Sequence, residues 1–192
     1  MSMKTTKEEM PPPSAQPIFS DIYPLDESYA ARGESPPVID RVDPVEVPEP
    51  YRSLLVHNTD MTSTLEKFHG EPLHVEVLTS KVSDNEYRRE VALVLDRSRK
   101  HVEFGVINIF LEMFPAGARE EILRAQLPLG RILTLHNIAF VSRPGAFLLV
   151  TSDKFIDTAL QLVGPQLLYG RRNSLLDPQG RPLAEIVEIL PP

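Results

Sequence analysis

Two stretches of this sequence place a charge where strand alternation would bury it. In "YRREVALVLD", residues 87–96, Arg89 shares a face with Val91, Leu93 and Leu95, while Arg88 shares the other face with Glu90 and Ala92. The pattern aims Arg89 inward and Arg88 toward solvent. A guanidinium keeps its proton, so an inward Arg89 needs an anion. That anion is either a structural ion-pair partner or the carboxylate of a ligand. The closing stretch "PLAEIVEIL", residues 182–190, poses the same problem with the opposite sign. Glu188 lies with Ala184, Ile186 and Leu190, and Glu185 lies with Leu183, Val187 and Ile189. Whichever face is inside, one glutamate meets an apolar layer. A buried carboxyl is either paired or has a raised pKa that lets it donate a proton. The inward arginine and glutamate can neutralise each other, or stand at opposite ends of a small cavity and hold a ligand between them.

A third stretch, "LPLGRIL" at 127–133, follows the helix-like run "AGAREEILRAQ" and precedes the strand-like run "LTLHNIAFV". Pro128, Leu129 and Gly130 put a rigid ring, an apolar side chain and bare backbone in a row. Such a turn can present its N–H groups to something that approaches closely.

Other chemistries find little support. The five histidines show no metal-ligand spacing, and no G-x-S-x-G elbow, P-loop or G-x-G-x-x-G is present. Without cysteine there is no disulfide, thiolate site or cysteine nucleophile, which fits a reducing, cytoplasmic setting. The pair in "GRRNS" reads as two solvated arginines at a turn. The N-terminus has no apolar segment of secretory type, and no apolar run reaches the roughly 18 residues of a membrane span.

The net charge of −7 is unevenly spread: residues 1–50 hold ten acidic and four basic side chains, against seventeen and sixteen in the remainder. The rest is nearly neutral and lacks the basic stripe of a nucleic-acid binder. Ten of the nineteen prolines also fall in the first fifty residues. Residues 1–48 therefore read as a proline-rich acidic arm, disordered or wrapping, with Ile18, Phe19, Ile22 and Tyr23 available to dock. Residues 49–192 form the domain.

Within the domain, a helical turn near Tyr51 precedes a short helix that Asp60 or Thr62 can cap and Gly70 can end. "PLHVEVLTSKV", "YRREVALVLD" and "HVEFGVINIFLEMF" read as strands, the last two joined by "RSRK". A helix at 116–126, a strand at 132–142, a hairpin turn at "RPG" and a strand "AFLLVTS" follow. Asp153 can cap a helix over "KFIDTALQLV". "RNSLLD", a turn at "PQG" and "RPLAEIVEIL" close the chain. The class is α+β with a mainly antiparallel sheet flanked by helices.

Taken in order, five of these stretches resemble the chorismate pyruvate-lyase (4-hydroxybenzoate synthase) family over roughly residues 53–191: "LLVHNTDMTSTLEKFHGEPLHVEVL", "YRREVALVLD", "LPLGRIL", "LLYGRRNSLL" and "GRPLAEIVEILP". The resemblance implies an antiparallel sheet with an enclosed ligand pocket. It also implies cofactor-independent elimination of pyruvate from chorismate to give 4-hydroxybenzoate, without metal. The family's carboxylate-binding arginine falls on Arg89. The leucine whose amide meets the ring carboxylate falls on Leu129, the glutamate at the hydroxyl end on Glu188, and a methionine contributing backbone contacts on Met61. Arg89 and Glu188 would be the catalytic pair. Val106 stands where members often carry an arginine, and the arm has no counterpart. The same fold serves ligand sensing in effector domains of GntR-type regulators, although no helix-turn-helix precedes the domain in this sequence. The expectation is thus a monomeric lyase acting on a small molecule, or alternatively a non-catalytic binding protein for an aromatic carboxylate.

Overall fold

A computed structural model describes residues 19–192. Ile18 and the rest of the first eighteen residues lie outside the described part. Seven strands form one antiparallel sheet in the order β1-β5-β6-β7-β4-β3-β2. They are β1 (Ile39–Val42), β2 (Leu73–Ser83), β3 (Glu86–Leu95), β4 (His101–Phe110), β5 (Val141–Thr151), β6 (Leu167–Leu176) and β7 (Pro182–Leu190). Six helices flank it: α1 (Leu25–Arg32), α2 (Tyr51–Leu55), α3 (Met61–His69), α4 (Ala116–Arg124), α5 (Leu129–Leu135) and α6 (Lys154–Leu160). The α+β expectation, with its antiparallel sheet and helical flanks, holds.

Both faces of the sheet are buried, which explains why β3, β4 and β7 are apolar almost throughout. On the first face, α2 and α3 pack Leu55, Met61 and Leu65 against Val75, Val91 and Leu93. Beside them, α4 and α5 pack Ile122, Ile132 and Leu133 against Ile107, Ile109 and Ile186. On the second face, α1 and α6 pack Leu25, Tyr29 and Ile156 against Phe104, Val106 and Val187.

That second face corrects the reading of Arg88. Its side of β3 does not open to solvent, because α1 covers it. Glu27 of α1 pairs with Arg88, and Arg32 of α1 pairs with the buried Glu90. Arg32 also stands 3.9 Å from the centre of the Phe155 ring and 4.6 Å from that of Tyr29. Tyr29 donates its hydroxyl to Asp153, which in turn caps α6 through the Phe155 and Ile156 amides. Farther along, Phe19 stacks on Tyr23, whose hydroxyl accepts from Asn108. Strand β1 then pairs with β5 at the sheet edge.

Two local expectations fail. The strand expected over 132–142 is helix α5 up to Leu135, and β5 starts only at Val141. Leu129, Ile132 and Leu133 recur at the three- and four-residue spacing of a helix face and are buried, whereas Thr134 and Leu135 are exposed. Pro128 sits just outside the first turn, where its missing N–H costs nothing. "RPG" is not a hairpin turn but part of β5, at a register shift between Pro144 and Ala146. The neighbour β1 reaches only residues 147–150 of β5, so Pro144 sits where that edge is unpaired.

If α1 seals the second face, Tyr29→Ala should cost about 3–5 kcal/mol of unfolding free energy, as for other buried aromatic truncations. Urea denaturation followed by circular dichroism measures it.

Candidate functional site

The strand register sets the floor of a cavity on the first face. Arg89, Ile107, Ile186 and Asn173 form one row across β3, β4, β7 and β6. Val91, Gly105, Glu188 and Arg171 form the next. With strands about 4.8 Å apart and rows about 6.7 Å apart, the Cα atoms of Arg89 and Glu188 stand about 12 Å apart. Gly105 lies between them without a side chain, leaving a gap in the middle of the floor. Val75, Val91, Leu93, Ile107, Leu175 and Ile186 make the apolar walls. The cavity between them is small, about 60 Å³.

The starts of two helices form the roof. Asp60 caps α3 by accepting from the Ser63 amide at 2.8 Å and the Ser63 hydroxyl at 2.6 Å. Gly130 lies against that cap: a Cβ there would stand 2.9 Å from Asp60 Oδ1, so a side chain at 130 would push the helices apart. Arg131 of α5 pairs with Glu66 of α3 and joins the two across the top. Met61, Thr62, Leu129 and Gly130 thereby line the cavity from above. The first N–H groups of a helix have no intrahelical acceptor, so the amides of Leu129 and Gly130 need a partner from elsewhere.

Met61, Arg89, Leu129 and Glu188, singled out from the sequence, thus surround one cavity. Their environments differ sharply. Arg89 is 3% exposed, and its only hydrogen bond to a described backbone group runs from Nη2 to the Leu127 carbonyl at 3.3 Å. Its Nε and Nη1 have no hydrogen-bond partner among the described residues, and no described carboxylate pairs with it. Burial lowers its pKa, opposed by the neighbouring Tyr87.

Glu188 does not face Arg89. Its carboxylate is taken by Arg171, directly opposite on β6 and fully buried. The reading of "GRRNS" as solvated is therefore corrected: both arginines lie within β6, one on each face. Arg172 goes to the second face and meets Glu185, which also accepts from the Ser174 hydroxyl at 2.8 Å. Adjacent arginines on one strand and two glutamates three apart on its neighbour meet pairwise across opposite faces. That offset pattern was the signal available in the sequence.

Arg171 also reaches out of the sheet. Nη1 donates to the Leu55 carbonyl at 3.0 Å and the His57 carbonyl at 3.1 Å, and Nη2 to the Thr59 carbonyl at 3.4 Å. The loop that delivers Asp60 and Met61 to the roof is tied to the floor by this one side chain. His57 completes the tie: Nε2 donates to the Leu54 carbonyl at 2.7 Å and Nδ1 accepts from the Thr59 amide. Burial, then the Arg171 charge, lowers its pKa and keeps it neutral.

Two further polar residues lining the cavity escaped the sequence reading. Asn173 accepts from Ser142 at 3.1 Å, leaving its Nδ2 without a partner among the described residues. Glu103 is 4% exposed, and its Oε2 is likewise without a partner. Burial, and next the charge of Glu188, raise the Glu103 pKa well above its ordinary value, with Arg171 opposing. Glu103 is therefore the neutral member of the group. Among the described residues no set of three or more His, Asp or Glu side chains converges to hold a metal. No described helix is long and apolar enough to cross a membrane.

No family model and no curated protein matches the sequence. Solved structures do share the fold. The effector domain of PhnF from Mycobacterium smegmatis superposes with a TM-score of 0.52 at 11% identity, over 68% of this chain and 87% of that one. PhnF itself gives 0.51 at 11% identity, over 69% of this chain and 63% of its own length. The ligand-binding domain of a GntR-family transcriptional regulator from Bordetella bronchiseptica gives 0.49 at 10% identity, over 62% and 85%. The fold, α+β and chorismate lyase-like, is shared with the PhnF effector domain.

These findings overturn the expectation of a chorismate pyruvate-lyase. PhnF and its effector domain, which share the fold, are not titled as lyases. Glu188, which the resemblance places at the hydroxyl end of the ring, pairs instead with Arg171.

Two outcomes follow. Arg171→Met should cost about 3–5 kcal/mol, the usual penalty for stranding a buried charge; adding Glu188→Gln should recover much of it in a double-mutant cycle. Glu103 has a raised folded-state pKa, so the stability it contributes is fully present below its ordinary 4.5 and is lost as pH rises. Glu103→Gln should therefore match the unmodified protein in acid and exceed it by a margin that widens as pH rises above the ordinary 4.5, read as melting temperatures.

Proposed function

We propose that this domain is a ligand-binding module that captures a small aromatic carboxylate reversibly and releases it unchanged. The observation that carries this reading is Arg89, a buried guanidinium lining the cavity with Nε and Nη1 unpartnered among the described residues. Burying a cation without a counter-ion is expensive, and a carboxylate at either free edge of the guanidinium would supply one. The turn into α5, whose Leu127 carbonyl accepts from Arg89, adds the amides of Leu129 and Gly130 nearby. The walls are apolar and suit the faces of a ring. The effector role of the PhnF domain, which shares this fold, is consistent with binding rather than turnover. Met61 and Leu129 would close over the ring, and Glu188 would act from the floor by holding Arg171 and the roof in place.

Isothermal titration with 4-hydroxybenzoate tests this. Saturable one-to-one binding and a ligand-dependent rise in melting temperature are expected, with no pyruvate released from chorismate. Arg89→Met should weaken binding about 100-fold or more. The same substitution should stabilise the ligand-free protein by about 1–3 kcal/mol, because it removes an uncompensated buried charge. Unchanged affinity in Arg89→Met would rule out the anion-binding role.

A further inference from the structure

Glu103 is unused by the reading above, on which the following rests. It sits on β4 one row beyond Gly105, opposite Leu93 on β3. Its carboxyl folds back along the strand: a Cβ built on Gly105 would stand only 2.9 Å from Glu103 Oε1. The carboxyl therefore covers the gap in the floor, and Glu103 is among the residues lining the cavity. The Cα of Gly105 is one strand and one row from that of Arg89, about 8 Å.

The neighbouring arginine does not serve Glu103. Arg171 gives Nε to Glu188, Nη1 to the Leu55 and His57 carbonyls and Nη2 to the Thr59 carbonyl. No hydrogen bond joins Glu103 to a described residue, and Oε2 is buried without a partner. An ionised carboxylate in that position, beside the charged Glu188, would be both unsolvated and repelled. Held neutral, the group is a hydrogen-bond donor whose acceptor is missing.

We propose that Glu103 is the specificity-determining residue of the cavity, donating its carboxyl proton to a neutral oxygen at the end of the ligand remote from the carboxylate. The ligand class is then an aromatic carboxylate that also carries a neutral oxygen acceptor away from the acid. The raised pKa of Glu103 is in keeping with this, since burial favours the protonated donor form.

Titrations with benzoate, 4-hydroxybenzoate and 4-formylbenzoate test it. The formyl compound accepts a hydrogen bond but cannot donate one, so it reports the direction of the bond. The unmodified protein should bind both para-oxygen compounds about tenfold tighter than benzoate. Glu103→Gln, whose amide also donates, should keep that preference within about threefold. Glu103→Leu, with folding checked by its melting curve, should bind all three with the affinity of benzoate. If Glu103→Leu retains the preference, or the unmodified protein binds benzoate equally well, Glu103 does not set specificity and the anion site stands. If the folded protein binds none of the three, both this inference and the anion site are overturned.

Discussion

The pairing of Arg171 with Glu188 organises the rest of the site. It joins two adjacent strands at directly opposed positions on a face sealed from water. Burying an ion pair is at best neutral for stability when apolar residues would fill the same space. Here the guanidinium does more than neutralise a glutamate, because it also donates to three carbonyls of the loop that delivers α3. Removing the charge would leave that loop with acceptors facing an apolar floor. The pair fixes the height of the roof, and the height of the roof defines the cavity.

A sheet buried on both faces needs cover on both, and the chain supplies it from different places. The first face is covered by helices from within the domain. The second face takes α1 from the proline-rich arm together with α6, and charges on β3, β6 and β7 that point that way are each matched. Glu90 meets Arg32, Arg88 meets Glu27, and Glu185 meets Arg172. The contrast with the cavity face is informative. Arg88, Arg172 and Asn108 on the sealed face also keep single buried atoms without a partner, but there each charged group of the sheet has an ion pair, whereas on the cavity face Arg89 and Glu103 have none among the described residues. Buried polar groups are nearly always satisfied, so a cluster of exceptions lining one void marks where a ligand completes the bonding. Such a site costs stability in the empty protein, a common feature of functional pockets.

Much of the frame was legible in the sequence because it is governed by local rules. Alternation along β3 and β7 placed Arg89 and Glu188 on inward faces, and both are buried. Asp60, Gly70 and Asp153 read as helix caps, and each acts as one. Where local signals conflicted, the reading erred. Residues 132–135 are as suited to a strand as to a helix by composition, and only their packing against β4 and β7 decides for α5. Arg171 and Arg172 looked like turn residues because the sequence does not display how far β6 extends.

The sequence by itself determined the class of fold, the inward direction of Arg89 and the caps of α3 and α6, since those depend on residues a few positions apart. Only the tertiary structure decided which charges meet. Glu188 found Arg171 rather than Arg89 because strand register, set by packing over the whole sheet, brings β6 against β7 and leaves β3 two strands away. That same register left one guanidinium and one carboxyl facing a void with nothing in the described chain to answer them.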